Sequence, residues 1–326
     1  MFQERKKMSF EILISNLLAN FGRLMLANLI FAVPFIGSVI LSWVVYKNIL
    51  DILPLAVVLV FIIASPFYAG VVRISRDLSQ NIRPKGMFRT FFSAVKENGL
   101  RFLLIGIISY IAVLGCYFGI GVYSAMAANV SGIFYVLMFF VVLFCVFFLF
   151  FFFASPLMTV SFELKVKDVF KNSALMTFGE FKKNFFATVG ILFYLAISLF
   201  PMIAIPNFQS LLSLETTKII LIVYSVVAFG MLIPAHCNMI ISHYLYPNMK
   251  AVISGNIDNV VLSDGAPDVK ETKAKPAIIT EEITPPPVDL KELKMGDGDE
   301  YIFYQGKMIK RKTLINLLEE KEKNNE

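Results

Sequence analysis

Six long apolar runs constrain the fold of this chain more than any other feature. They cover about residues 24–46, 52–72, 102–123, 132–155, 185–206 and 218–245. A helix of about 20 apolar residues crosses the hydrocarbon core of a bilayer. With 57% hydrophobic residues in 326, the chain also has more apolar side chains than one soluble core can bury. The sequence therefore predicts an all-α, polytopic membrane protein with six transmembrane helices.

The distribution of charge predicts how these helices are oriented. Residues 73–101, between spans 2 and 3, carry seven Lys and Arg residues, and residues 165–183, between spans 4 and 5, carry five. The opposite links have only Lys47 and Lys218 as cations. Because cytoplasmic loops carry an excess of Lys and Arg, we expect both termini in the cytoplasm and the protein in the cell (inner, cytoplasmic) membrane as a multi-pass chain.

Three amphipathic segments indicate an internal repeat. Each has apolar residues at one helical face, ends in an asparagine and is followed at once by a span. The even-numbered spans have a proline near their inner ends. The repeat would consist of an interfacial helix, an outward span and an inward span, although amphipathic helices before spans can also look alike by chance. The matched positions are Asn20, Asn98 and Asn184 for the asparagines, and Pro66, Pro156 and Pro234 for the prolines.

The basic residues of these segments predict a contact with anionic lipid headgroups. Residues 1–246 carry eighteen Lys and Arg against nine Asp and Glu, whereas residues 247–326 carry twelve against fifteen. Cations such as Arg73 and Arg89 lie between spans, where they can reach lipid phosphates. They do not form the single patch expected of a nucleic-acid-binding protein. Alternatively, the amphipathic helices fold under the bundle and close its cytoplasmic mouth.

The chain divides into three parts by composition. Residues 1–250 form the six-helix transmembrane domain, and residues 251–298 are rich in Asp, Lys, Thr and Pro, which predicts a disordered cytoplasmic linker. Residues 299–326 form a small cytoplasmic tail, in which Tyr301–Tyr304 and Met308–Ile309 predict a hairpin and Thr313–Lys323 a helix. Since so small a unit is not stable alone, we expect it to dock, either on a partner or on the inner face of the bundle.

The interiors of the spans argue against one class of transporter. None of the six apolar runs has an Asp, Glu, Lys or Arg at its middle. Ion-coupled carriers usually keep such a residue for function, because an intramembrane charge is costly. A pathway for a neutral solute stays open as an alternative. Its candidate lining residues are Asn28, Ser42, Ser109, Tyr117 and Ser198.

Neither the histidines nor the cysteines form a recognisable site. His236 and His243 are seven residues apart on span 6, and we expect them to be polar residues near the interface. The three cysteines lie in apolar runs, without the spacing of a zinc site. No catalytic motif accompanies them. We therefore expect no metal, no cofactor and no enzymatic activity.

Two stretches of the chain resemble a known family. The residues Pro66, Gly70, Val72 and Arg73, followed by Phe88-Arg89-Thr90-Phe91-Phe92 and Lys96-x-Asn98, resemble the core signature of the YesL-like family of bacterial integral membrane proteins. The segment Tyr246-Pro247-x-x-Lys250 and the hairpin-like tail resemble longer members, and the similarity covers roughly residues 15–250. The family carries a domain of unknown function, so it implies no active-site residues.

The resemblance implies an accessory role in sugar uptake, because such proteins are often encoded beside carbohydrate transporters. Our leading hypothesis is a non-enzymatic membrane protein that assists or regulates a transporter, with a sugar-transporter permease as its partner. The alternative is that the chain is itself a permease for a neutral or amphipathic solute.

Overall fold

The computed structural model describes residues 9–50, 53–84, 86–205, 213–253, 293, 300–304 and 307–323. Ten α-helices and one two-stranded sheet are found in these residues, with π-helical turns at 46–50 and 228–232. The bounds are α1 Ser9–Ala19, α2 Phe21–Val45, α3 Leu53–Ser79, α4 Met87–Asn129, α5 Phe134–Ser161, α6 Val166–Gly179, α7 Phe181–Ala204, α8 Leu214–Val227, α9 Ile233–Ile253, β1 Tyr301–Tyr304, β2 Lys307–Lys310 and α10 Arg311–Lys323.

Six helical segments are long and apolar enough to cross a membrane. They are α2, α3, α4, α5, α7, and α8 with α9, which a π-helical turn at Ala228–Leu232 joins into one span. The prediction of an all-α chain with six such helices is confirmed. The protein therefore has the architecture of a multi-pass membrane protein.

Helix α3 continues beyond the second apolar run. It ends at Ser79, where Asn81 adopts a left-handed conformation (φ 59°) and the amide of Ile82 donates to the carbonyl of Asp77 at 2.9 Å. This is the hydrogen-bond pattern of a helix C-cap. The expectation that the link between spans 2 and 3 begins at residue 73 was therefore wrong. Arg73 belongs to the last two turns of a helix.

The three amphipathic segments differ in structure. The first is a separate helix, α1, which breaks from α2 at Asn20, and the third is α6, which breaks from α7 at Glu180. The second is not a separate interfacial helix, because α4 runs without a break from Met87 to Asn129. The side-chain amide of Asn98 donates to the carbonyl of Ala94, one turn earlier in the same helix, at 3.2 Å. The expectation of a separate interfacial helix was therefore wrong for this second segment.

Helix α3 lies at the centre of the bundle and packs against α2, α4 and α9. Its contact with α4 depends on glycines. A Cβ atom added at Gly70 would lie 2.5 Å from the ring of Phe91, and one added at Gly106 would lie 2.9 Å from the carbonyl oxygen of Phe61. The two helices can approach this closely only because neither glycine has a side chain.

Buried residues concentrate at one end of the bundle, which we call the basic end. It contains the C-terminal turns of α3 and α5, the N-terminal turns of α4 and the C-terminal half of α9. At the other end the α4–α5 hairpin is largely exposed: 17% of the apolar window of each helix is buried. Tyr117 and Phe139, for example, are 66% and 61% exposed. Apolar side chains that face outward along a span are suited to lipid.

The tail folds as a hairpin followed by a helix. Strand β1 pairs antiparallel with β2, with Tyr301 opposite Lys310, and α10 follows directly. Leu293, Ile309 and Leu314 form its own small core. Of the expected linker 251–298, residues 251–253 extend α9 and Leu293 belongs to this core, whereas residues 254–292 and 294–298 lie outside the described residues.

Candidate functional site

Buried ionic groups join three helices at the basic end. The side chain of Arg76 is 1% exposed, and it donates from Nε to Asp77 Oδ1 at 2.9 Å and from Nη1 to the carbonyl of Val160 at 3.4 Å. Its guanidinium lies over the ring of Tyr246 in α9, 5.6 Å from the ring centroid. Arg73 donates from Nε to the other carboxylate oxygen of Asp77 at 3.2 Å. We call these four side chains the arginine cluster: Arg73, Arg76, Asp77 and Tyr246.

The tail binds beside this cluster through Lys307. The Lys307 ammonium is 3.0 Å from Glu163 Oε2 and 3.2 Å from Asn98 Oδ1, and the residue is only 8% exposed. A buried ammonium needs such partners to offset its loss of hydration. Glu163 also pairs with Arg101 at 3.3 Å. The tail dock, as we call it, comprises the side chains of Asn98 and Glu163 and the backbone of residues 162–163.

The backbone and an apolar side chain complete this contact. The amide of Glu163 donates to the carbonyl of Met308 at 3.1 Å, and Phe162 forms a parallel bridge with Met308. The Met308 side chain is 5% exposed and belongs to the main hydrophobic core of the bundle. Of the two sequence-based alternatives, the structure shows a tail that contacts the bundle itself, at α4 and the C-terminal end of α5.

The three asparagines of the predicted repeat share a buried position but have different partners. Asn20 donates to Asn16 O at 3.0 Å, at the break between α1 and α2. Asn184 donates to Met176 O at 3.1 Å, across the break between α6 and α7. Asn98, inside α4, accepts from the tail as described above. Asn20 and Asn184 thus form hydrogen bonds at the junctions between two helices, whereas Asn98 belongs to the tail dock.

The other predicted site residues are dispersed. Pro66 lies inside α3 and Pro156 five residues before the end of α5. Pro234 lies beside the π-helical turn that interrupts span 6. Pro66 packs 3.6 Å from where a Cβ atom of Gly99 would lie. Arg89 is exposed on the first turn of α4 and is not a member of the arginine cluster.

The interruption of span 6 is bridged by an asparagine of span 1. Asn28 is fully buried, accepts from the amide of Ala235 at 2.6 Å and donates to the carbonyl of Met231 at 2.8 Å. In an uninterrupted α-helix these two backbone groups would pair with each other. The carboxamide thus occupies the break and connects the first and last spans.

His236 lies directly beside this break. It is fully buried, its ring stacks on Tyr194 with centroids 5.3 Å apart, and its Nδ1 is 3.4 Å from Asn28 Nδ2. Its Nε2 has no hydrogen-bond partner among the described residues. The expectation of an interfacial histidine was wrong for His236. His243, further along the helix, is 3.1 Å from the hydroxyl of Ser9 in α1.

The residues expected to line a solute pathway do not form one continuous lining. Of them only Asn28 and Ser198 are connected, through His236 and Tyr194. Ser42 donates to the carbonyl of Ala56 at 2.6 Å, and Ser109 to that of Ile105 at 2.6 Å in its own helix. Tyr117 points away from the bundle. Asn28 is bound in the break of span 6. A cavity of about 240 Å³ lies instead at the basic end, between α5, α6, the end of α9 and Tyr301.

Among the described residues, no group of three or more His, Cys, Asp or Glu side chains is placed to hold a metal ion. Cys116, Cys145 and Cys237 are free and half-buried.

Sequence reasoning predicted that the tail docks but missed the residues that hold it, Lys307 and Glu163, and it missed the role of Asn28. The Arg73–Asp77 pair, four residues apart on one helix, had a local signal in the sequence. Lys307 had none, because its partners are 144 and 209 residues away along the chain.

Comparisons with protein-family models, with curated proteins and with solved structures find no match to this chain. The resemblance to the YesL-like family therefore stays a prediction. Two of its signature residues, Gly70 and Phe91, are in direct contact between α3 and α4.

Proposed function

We propose that this chain is a non-enzymatic integral membrane protein that assists or regulates a transporter, with a carbohydrate-transporter permease as its partner. The observation that carries this proposal is the tail held at the basic end. Its helix α10 buries Leu314 completely but leaves Leu317 42% exposed. An exposed leucine on a small unit that contacts a membrane bundle suits a partner that approaches from that side.

Affinity purification of the full chain in mild detergent, followed by mass spectrometry, tests this role. We expect a transporter permease in stoichiometric amount. Removal of residues 296–326 should weaken partner binding and leave membrane insertion intact. A protein that is recovered alone and well folded would contradict the accessory role.

A point variant makes this experiment sharper. Leu317→Asp should lower the recovered permease by about tenfold, as expected when an interface leucine is replaced by a charge. The control is Asn316→Asp, which introduces the same charge at the neighbouring exposed position. Equal recovery with both variants would exclude Leu317 from the interface.

A permease for a neutral or amphipathic solute is the second candidate. Its support is the interrupted span 6, since transporters often bind solutes where a helix is broken. The imidazole Nε2 of His236 lies at this break without a hydrogen-bond partner among the described residues. Liposomes that contain only this protein should then show solute flux that Asn28→Leu abolishes. An absence of flux for a panel of sugars and amphipathic solutes would remove this candidate.

The proposal includes the basic end facing the cytoplasm, with its amphipathic helices at anionic headgroups. Helix α6 supports this, because it exposes Leu175 and Phe178 beside Lys171. Trp43 is the only tryptophan, so Phe178→Trp in a Trp43→Phe background gives a single fluorophore. Brominated lipids should quench it strongly. The control is Leu317→Trp in the same Trp43→Phe background. Equal quenching of the two tryptophans would contradict an interfacial α6.

A further inference from the structure

We propose that the tail is an exchangeable latch: residues Lys307 and Met308 occupy a strand-binding site on the inner ends of α4 and α5, from which they dissociate and rebind. This inference depends on the contacts of the tail and does not require the accessory role. It assigns to the bundle a binding site for a peptide strand, and to the tail the role of its tethered occupant.

The site recognises two consecutive residues. The first must be a cation, because its side chain enters between Asn98 and Glu163, with Glu97 Oε2 3.9 Å from the ammonium. The second must be apolar, because the Met308 side chain fills a position in the main core. The amide of Glu163 fixes the strand by binding the Met308 carbonyl. Addition of a strand to exposed backbone is a common mode of peptide binding.

The next residue turns away from the bundle. Ile309 packs with Leu293 and Leu314 inside the tail itself. The described contacts of the tail with the bundle are few: one backbone hydrogen bond, the buried Lys307 ammonium, the Met308 side chain, and the partly buried ring of Tyr301, which packs against the same core. Such contacts are strong enough to hold a tail that belongs to the same chain, and weak enough for the tail to dissociate.

The length of the linker makes this exchange favourable. Residues 254–292, which are 39 residues, separate α9 from Leu293, the first described residue of the tail core. Because this segment keeps the tail on the same chain as the dock, the effective concentration of the tail at the dock is on the order of millimolar. A dock with modest intrinsic affinity is then mostly occupied, and a competing strand at high concentration displaces the tail.

Opening the latch changes the electrostatics of the basic end. The carboxylates of Glu97 and Glu163 lose the Lys307 ammonium, and the Met308 position in the core opens to water. The open site favours any strand with a lysine before an apolar residue. The tail of the same chain satisfies this requirement and is the occupant that we assign.

The experiment uses the full chain with a specific protease sequence inserted between residues 270 and 271, and a fluorophore at the C-terminus. After purification in detergent and cleavage, size-exclusion chromatography measures how much labelled tail remains with the bundle and how fast it leaves. We expect the wild-type fragment to co-elute with the bundle. An excess of the unlabelled synthetic peptide of residues 271–326, which includes Leu293 of the tail core, should then replace it.

Variants test whether Lys307 controls release. Lys307→Gln should accelerate release of the fragment at least tenfold. The control is Lys312→Gln, at an exposed lysine of α10, which should behave as the wild type. Lys307→Glu should also release the tail, because it places a third carboxylate beside Glu97 and Glu163. Lys307→Arg keeps the cation and should retain the tail, which distinguishes recognition of the charge from a general loss of folding.

Three outcomes would overturn the latch. In the first, the wild-type fragment leaves as fast as Lys307→Gln. In the second, both remain equally bound. In the third, the labelled fragment never exchanges with the synthetic peptide, which would make the tail a fixed part of the bundle. None of these results bears on whether a transporter co-purifies, so failure of the latch and failure of the accessory role are distinguishable.

Discussion

At the scale of single residues, buried polar side chains replace contacts that the backbone cannot make. Asn28 binds both Met231 and Ala235 at the break of span 6. In lipid there is no water to satisfy these backbone groups, so each must find a partner within the protein. The asparagine therefore permits an interrupted helix at membrane depth.

Replacing this asparagine should destabilise the bundle. Asn28→Leu leaves a backbone amide and a carbonyl unpaired, and should lower the free energy of unfolding by about 2 kcal/mol. Thermal unfolding and steric trapping in detergent measure the change. The control is Asn48→Ala, because Asn48 is exposed and its amide donates to Val44 O within one turn. Equal stability of the two variants would contradict the bridging role.

Asp77 is the carboxylate that the structure places between two arginines. It is 7% exposed and accepts from both Arg73 and Arg76. Asp77→Asn removes its charge and leaves buried guanidinium groups without this partner, which should cost about 3–5 kcal/mol of stability.

The matched control for Asp77 is an ion pair at the surface. Glu215 is 3.1 Å from Lys218, and both side chains are more than half exposed. Glu215→Gln should change stability by less than about 1 kcal/mol. The same unfolding measurement compares the two variants, and a similar effect in both would argue against a structural role for the arginine cluster.

At the scale of elements, close contact between α3 and α4 explains why α4 is one long helix. Its first turns, expected to lie apart at the interface, pack against α3 through Phe91 on Gly70. Its next turns continue the same contact through Gly99 on Pro66 and Gly106 near Phe61. A break in α4 would interrupt this row of contacts.

Two glycines of α4 test this packing. Gly106→Ala places a Cβ atom against Ser65 and the Phe61 carbonyl, and should destabilise the protein by about 1–3 kcal/mol through overpacking. Gly115→Ala has nothing within 4 Å of the added atom, so stability should stay the same or rise slightly. Thermal midpoints in detergent compare them. An unchanged midpoint for Gly106→Ala would contradict the close approach.

At the scale of the whole molecule, one end of the bundle is tightly packed, whereas the helices at the other end expose most of their apolar side chains. The arginine cluster, the tail dock and most of the buried core lie at the basic end. Trp43 and Tyr46 lie at the opposite end of span 1 and surround the ammonium of Lys47, which is 5.1 Å from the Trp43 ring. Aromatic residues with a lysine are typical of the membrane–water interface.

Labelling of single cysteines tests the orientation of the whole chain. Ser131, in the link between α4 and α5, and Lys312, in α10, are exposed at opposite ends. In a background without the three native cysteines, Ser131→Cys should react with a membrane-impermeant maleimide in intact cells. Lys312→Cys should react only after permeabilisation, because the positive-inside rule predicts a cytoplasmic basic end. The reverse pattern would invert the proposed topology.

The sequence by itself determined the six apolar helices, the helical class and the strands of the tail. These features depend on local composition and on periodicity over a few turns, which a single segment contains. Helix ends were less well determined. α3 extends seven residues beyond the apolar run, because Arg76 finds a partner in the folded protein, the carbonyl of Val160 in α5, that the segment alone does not show.

Only the tertiary structure decided where Asn28, His236 and Lys307 belong. Asn28 and its partner Met231 are 203 residues apart, and Lys307 and Asn98 are 209 apart. No local pattern specifies such pairs. They arise because packing of α2, α4, α5 and α9 around α3 excludes water, and each buried polar group must then bond with whichever partner the fold places beside it.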